Sequence, residues 1–273
     1  MGERAVNLLY GQRALMIGAL QPIAFIGTTQ RSKAHATPWR RLVHTAHMFD
    51  AVFFGTRAEA DKALAYTEKL HQRVKGTIGE PAGPYPASTT YSAFDPELMV
   101  WVTAPLFDSA EVLYETFVRS LSGDEREQLY QEYVTFGELF GMPRDAMPAT
   151  YAGFRGWLAG ELASERMFLT EEAYVAGYNI GLRIPLPGHL RWFSKLSGFL
   201  ILGTLQPVVR EKYGLTWSAA QQAAFDGMAL ASRSGRPVVP RRVRRGPSSD
   251  AYELVARTER KNIAAGKESF LSV

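Results

Sequence analysis

The stretch Pro38-Trp39-Arg40-Arg41-Leu42-Val43-His44-Thr45-Ala46-His47-Met48-Phe49-Asp50-Ala51-Val52-Phe53-Phe54 decides the fold class. Leu42, Ala46, Phe49 and Phe53 recur three and four residues apart, which puts them on one stripe of an α-helix. Arg41, His44, Thr45 and Met48 fall at i, i+3, i+4 and i+7, so a guanidinium, an imidazole and a hydroxyl share a second face. The first stripe must be buried against something, and the neighbouring segments carry the same period.

Outward from this helix, Thr56 is an N-cap for a helix from Ala58 to Val74 that closes at Gly76. Gly79 to Tyr91 reads as a loop, because Pro81, Pro84 and Pro86 remove backbone donors. Asp95-Pro96-Glu97 opens another helix, whose Leu98, Val100, Trp101 and Val102 are apolar all round and place it in the middle of a bundle before Pro105. Leu113, Phe117 and Leu121, then Leu129, Tyr133, Phe136 and Phe140, repeat the helical spacing. Ser122-Gly123-Asp124, Met142-Pro143-Arg144 and Pro148-Ala149-Thr150 mark further starts, Ile184 to Gly188 is a hinge, and a last helix spans Ser248 to Ala265. The expectation is an all-α, single multi-helix domain over residues 1–273, with a basic Pro/Arg-rich connector at about 233–247.

Composition narrows the chemistry. A chain of 273 residues, 46% hydrophobic and 21% charged, is long enough and apolar enough to bury a core. It has no cysteine, which excludes disulfides, thiolate zinc, iron–sulfur clusters and thiolate-ligated haem. A net charge of +4 argues against nucleic acid as a partner. The six arginines from Arg233 to Arg245, with no acid among them, read as a solvated connector, with peripheral membrane or anion contact as the other reading. The uncharged stretches Ala14–Gln30 and Leu196–Val209 are interrupted by Gly, Gln and Pro and read as buried helices, not spans. A cytoplasmic location is expected.

Glycine-rich dinucleotide, Walker, Gly-x-Ser-x-Gly and His-Glu-x-x-His motifs are absent, which leaves His35, His44, His47, His71 and His189. Glu68-x-x-His71 occurs once, whereas a di-iron carboxylate site needs the motif twice. His35, His47 and His189 read as surface or structural residues, and the five tryptophans as core or boundary aromatics. Haem ligation would need a neutral imidazole, a helical wall and cations for the propionates. The face of Arg41, His44 and Thr45, with His71 on the next helix, can supply these, and the same spacing also suits hydrogen-bonded structural histidines.

The order of several segments resembles the catalytic domain of the oxygenase MpaB, MpaB′ and latex clearing protein (rubber oxygenase) family. They are Leu15–Pro22, Arg41-Leu42-Val43-His44-Thr45, Phe54-Gly55-Thr56, His71-x-x-Val74-x-Gly76, Tyr91–Leu98 running into Trp101-Val102, Phe140–Pro143 and Val209–Leu215. The resemblance implies an all-α domain enclosing a b-type haem pocket, with His71 as proximal iron ligand and Arg41 and Thr45 near the distal face. His44 stands where latex clearing proteins carry a distal lysine, so it is either a second iron ligand or a hydrogen-bond donor to bound oxygen. The implied activity is a haem b-dependent oxygenase using O2 on an apolar small molecule, unsaturated ones included, with Arg41, His44 and Thr45 as catalytic residues. Two departures disfavour rubber cleavage: Thr103 stands where many relatives have His, and Glu3 is the only acid before Asp50. The alternatives are a non-catalytic haem carrier or gas sensor, and a haem-free interaction protein.

Overall fold

The computed structural model describes residues 2–29, 38–246 and 249–266. The elements in order are α1 (Arg4–Gly18), α2 (Pro22–Thr29), α3 (Pro38–Phe54), α4 (Arg57–His71), β1 (Lys75–Thr77), β2 (Thr90–Ser92), α5 (Pro96–Phe117), α6 (Gly123–Leu139) and α7 (Tyr151–Ala163). They continue with α8 (Glu171–Leu182), α9 (Arg191–Thr204), α10 (Pro207–Lys212), α11 (Ala219–Gly235), α12 (Arg241–Arg244) and α13 (Ser249–Ala264). The chain is mainly helical, as the apolar period requires. No described helix is long and apolar enough to cross a membrane.

The main core forms where α1 lies along α5 and α6, α7, α9 and α11 close around them. Phe107, Leu113, Tyr130 and Phe154 are fully buried there, each contributing about 2 kcal/mol of transfer free energy. Asp95 starts α5 by accepting from the Glu97 and Leu98 amides, with Pro96 in the first turn. Contrary to expectation, α5 runs through Pro105 to Phe117. One missing amide there costs less than unwinding a helix whose later residues fill the core. Its apolar stretch is also not buried all round, since Val102 is exposed.

Other differences from the sequence reading are local. Helix α4 ends at His71, three residues short of Val74, because Val74 turns toward the strands and its carbonyl accepts from the Ala93 amide at 2.8 Å. The antiparallel β1–β2 ribbon, with Gly76 opposite Tyr91, was not expected, and three-residue strands carry too little alternation to be legible. Pro143 leads into a single 3-10 turn at Arg144–Ala146 instead of an α-helix. The apolar stretch from Ala14 is two helices, since the Gln21 side-chain oxygen accepts from the Ile23 and Ala24 amides and starts α2. Trp192 is exposed, unlike the core Trp39 and Trp101.

A second, smaller core joins α3 to α13 and the end of α8 through Trp39, Ala46, Ile180, Ile184, Tyr252, Val255 and Ala256. Thus α13 covers the helix that carries the candidate site residues.

Candidate functional site

Helices α3 and α4 form a hairpin joined at Gly55 and Thr56. A Cβ at Gly55 would stand 2.5 Å from the Ala51 carbonyl oxygen, so the tight exit from α3 requires glycine. Thr56 then starts α4 with a capping box: its hydroxyl accepts from the Glu59 amide while Glu59 accepts from the Thr56 amide at 2.7 Å. The fifteen residues of α4 pack against the seventeen of α3, and His71 is the last residue of α4.

The two faces of α3 separate as the spacing requires. Ala46 is buried and Leu42, Phe49 and Phe53 pack partly buried on the cores, whereas Arg41 and His44 are exposed and Thr45 and Met48 half-buried. Desolvation lowers the Arg41 guanidinium below its ordinary pKa, although the residue is exposed. The Thr45 hydroxyl donates to the Arg41 carbonyl at 3.2 Å, leaving its lone pairs available.

His71 is half-buried, and desolvation lowers its pKa, which favours the neutral imidazole able to bind a metal. Its Nδ1 is buried and has no hydrogen-bond partner. A buried polar nitrogen left unpaired costs about 1–3 kcal/mol, so it needs an explanation. The ring stands edge-on to Phe94 at 6.1 Å. That contact is held by the ribbon, which pins the chain after His71 to the chain before Phe94.

The remaining sequence-derived residues are placed as follows. His47 Nε2 lies 3.2 Å from Glu253 on α13, an exposed pair, and His189 is exposed in a 3-10 turn. His35 lies outside the described residues. Glu68 is exposed, and among the described residues no group of three or more His, Asp or Glu could hold a metal. Thr103 is buried and donates to the Met99 carbonyl at 2.9 Å. A cleft of about 230 Å³ is lined by Gln21, Trp101, Trp157 and Arg166, and a shallower one lies beside the ribbon. Neither is lined by Arg41, His44, Thr45 or His71.

Sequence reasoning missed a buried charge network. Arg13 and Asp108, both fully buried, pair at 2.7 Å, and Arg155 reaches the other Asp108 oxygen at 2.6 Å. Arg13 also donates to Ser109 and the Thr204 carbonyl, and Gln206 donates to Asp108. Burial works to raise the Asp108 pKa, but the two guanidinium groups prevail and hold it below the usual carboxylate range. The network ties α1, α5, α7 and α9 together. Its one visible signal is Arg13, the single charge between Arg4 and Arg31.

The helical chain carries an oxygenase catalytic domain, an enzyme of the oxidoreductase class. Residues 1–234 match the family described as ER-bound oxygenase mpaB/B′/Rubber oxygenase, catalytic domain, and the chain belongs to that family. Uncharacterized proteins of Mycobacterium bovis and Mycobacterium tuberculosis are each 25% identical over 208 residues, 75% of this chain and 77% of theirs. No solved structure matches the chain.

Proposed function

We propose that this chain is a haem b-dependent oxygenase acting with O2 on an apolar small molecule, with His71 as the protein ligand to iron. The observation that carries the reading is the buried, unpartnered Nδ1 of His71, whose pKa burial lowers, on the helix that follows the one bearing Arg41, His44 and Thr45. These residues fit the group: the donor is an uncharged imidazole, and a cation and two further polar side chains stand on the adjoining helix. Haem, when bound, supplies the redox chemistry that activates O2.

The chain's own residues hold and orient. His71 binds, and its depressed proton affinity keeps the imidazole from being lost to protonation near neutrality. Arg41, partly desolvated, offers a charge-assisted hydrogen bond to a propionate or to developing negative charge. Thr45 and His44 supply neutral hydrogen bonds on the same face. Phe94 stands edge-on beside the His71 ring and helps fix its orientation.

An absorption spectrum of the purified protein, oxidised, reduced and reduced with CO, tests the reading. Wild type is expected to show a Soret band and a CO adduct, and His71→Ala to lose haem. Stoichiometric haem with an unchanged Soret band in His71→Ala overturns the assignment of His71, and colourless wild type that takes up no added haem overturns the cofactor. Haem bound without oxygen consumption on any alkene offered selects a carrier or sensor instead.

A further inference from the structure

We infer that the connector from Arg233 to Arg245 is a docking surface for an anionic lipid bilayer. Of its six arginines, three are used internally: Arg236, Arg244 and Arg245 converge on one Glu3 carboxylate oxygen at 2.9, 3.4 and 3.3 Å. The Gly246 amide bonds the Gly2 carbonyl, and Asn7 donates to the Gly246 carbonyl at 3.2 Å. These ties hold the connector against the start of α1.

The clamp leaves a second set of side chains outward. The side chains of Arg233, Arg241 and Arg242 are exposed and make no hydrogen bond or ion pair among the described residues. In the same segment Val238 is 83% exposed and Val243 54% exposed, with Pro237 and Pro240 also at the surface. No acid lies between Asp226 and Asp250 to offset the charge. Arg236 to Arg245 lies beyond the family match, which ends at residue 234.

Charge and apolarity together favour a bilayer over other anions. Lipid headgroups take the arginines while the acyl boundary takes the valines, without requiring a shaped groove. Neither cleft is lined by connector residues, as an acidic peptide would want. The segment has no aromatic side chain on which a nucleobase could stack.

The test is flotation of the full chain with vesicles of phosphatidylcholine alone or with about a third phosphatidylserine, at low and raised salt. Binding is expected only to the anionic vesicles and to fall with salt. Replacing Arg233, Arg241 and Arg242 by Gln should weaken it roughly a hundredfold, at about fivefold per arginine. Val238→Asp with Val243→Asp should weaken it as well, and neither set should move the unfolding midpoint, because none of these side chains is packed. No binding to anionic vesicles, equal binding to neutral ones, unchanged binding by the arginine variant, or loss of vesicle binding to a short DNA duplex at equal phosphate would each overturn the inference.

Discussion

Glu259→Gln is the substitution whose effect can be worked furthest from the structure. Glu259 on α13 is 2% exposed beside Trp39 at the start of α3, and no side chain hydrogen-bonds its carboxylate or the Trp39 indole nitrogen. Desolvation by burial pushes its pKa up to about 7, opposed only weakly by the Trp39 backbone amide and by Arg260. For a carboxyl raised in the folded state, both states are protonated in acid. The unfolded chain loses its proton first as pH rises, so stability falls from about pH 4.5 and the loss is complete above the folded value. At about 1.4 kcal/mol per tenfold change in proton affinity the ceiling is ~3 kcal/mol, and partial screening by solvent brings the effect to about 1–2 kcal/mol. The glutamine variant does not titrate. Its stability relative to wild type should therefore rise by that amount between pH 4.5 and pH 8.5, a gain of roughly 2–4 °C in Tm for a chain of this size. A constant cost of burying the amide would offset the whole curve but not its slope. Thermal unfolding of both proteins across that pH range reads the difference, and a gap that is the same at both ends would refute a buried, ionisable Glu259.

Asp108→Asn should destabilise by about 3–5 kcal/mol in urea unfolding, because it leaves Arg13 buried without its counter-charge and weakens the Arg155 contact. Gly55→Ala should cost about 1–3 kcal/mol, since the new methyl meets backbone at 2.5 Å and not a flexible side chain. Removing the α4 cap with Thr56→Ala should cost ~1 kcal/mol by the same assay. His47→Ala, by contrast, should leave stability within about 0.5 kcal/mol in a denaturant titration, as its pairing with Glu253 is exposed to water.

The sequence by itself determined the helices and the division of α3 into an apolar stripe and a face of Arg41, His44 and Thr45. These depend on spacing within one element and on local caps such as Thr56, Asp95 and Ser122. It also carried the ordered segments by which family membership was legible. It misread α5 at Pro105 and α4 beyond His71, where contacts made elsewhere outweighed the local rule. Only the tertiary structure decided that Arg13 and Asp108, 95 residues apart, share a buried pair. The same holds for Glu3, which gathers half of an arginine run more than 230 residues away, and for Glu259, which lies under Trp39. A charge's burial and partners are set by chain segments that meet only on folding, whereas helical period and capping are set by neighbours a few residues off.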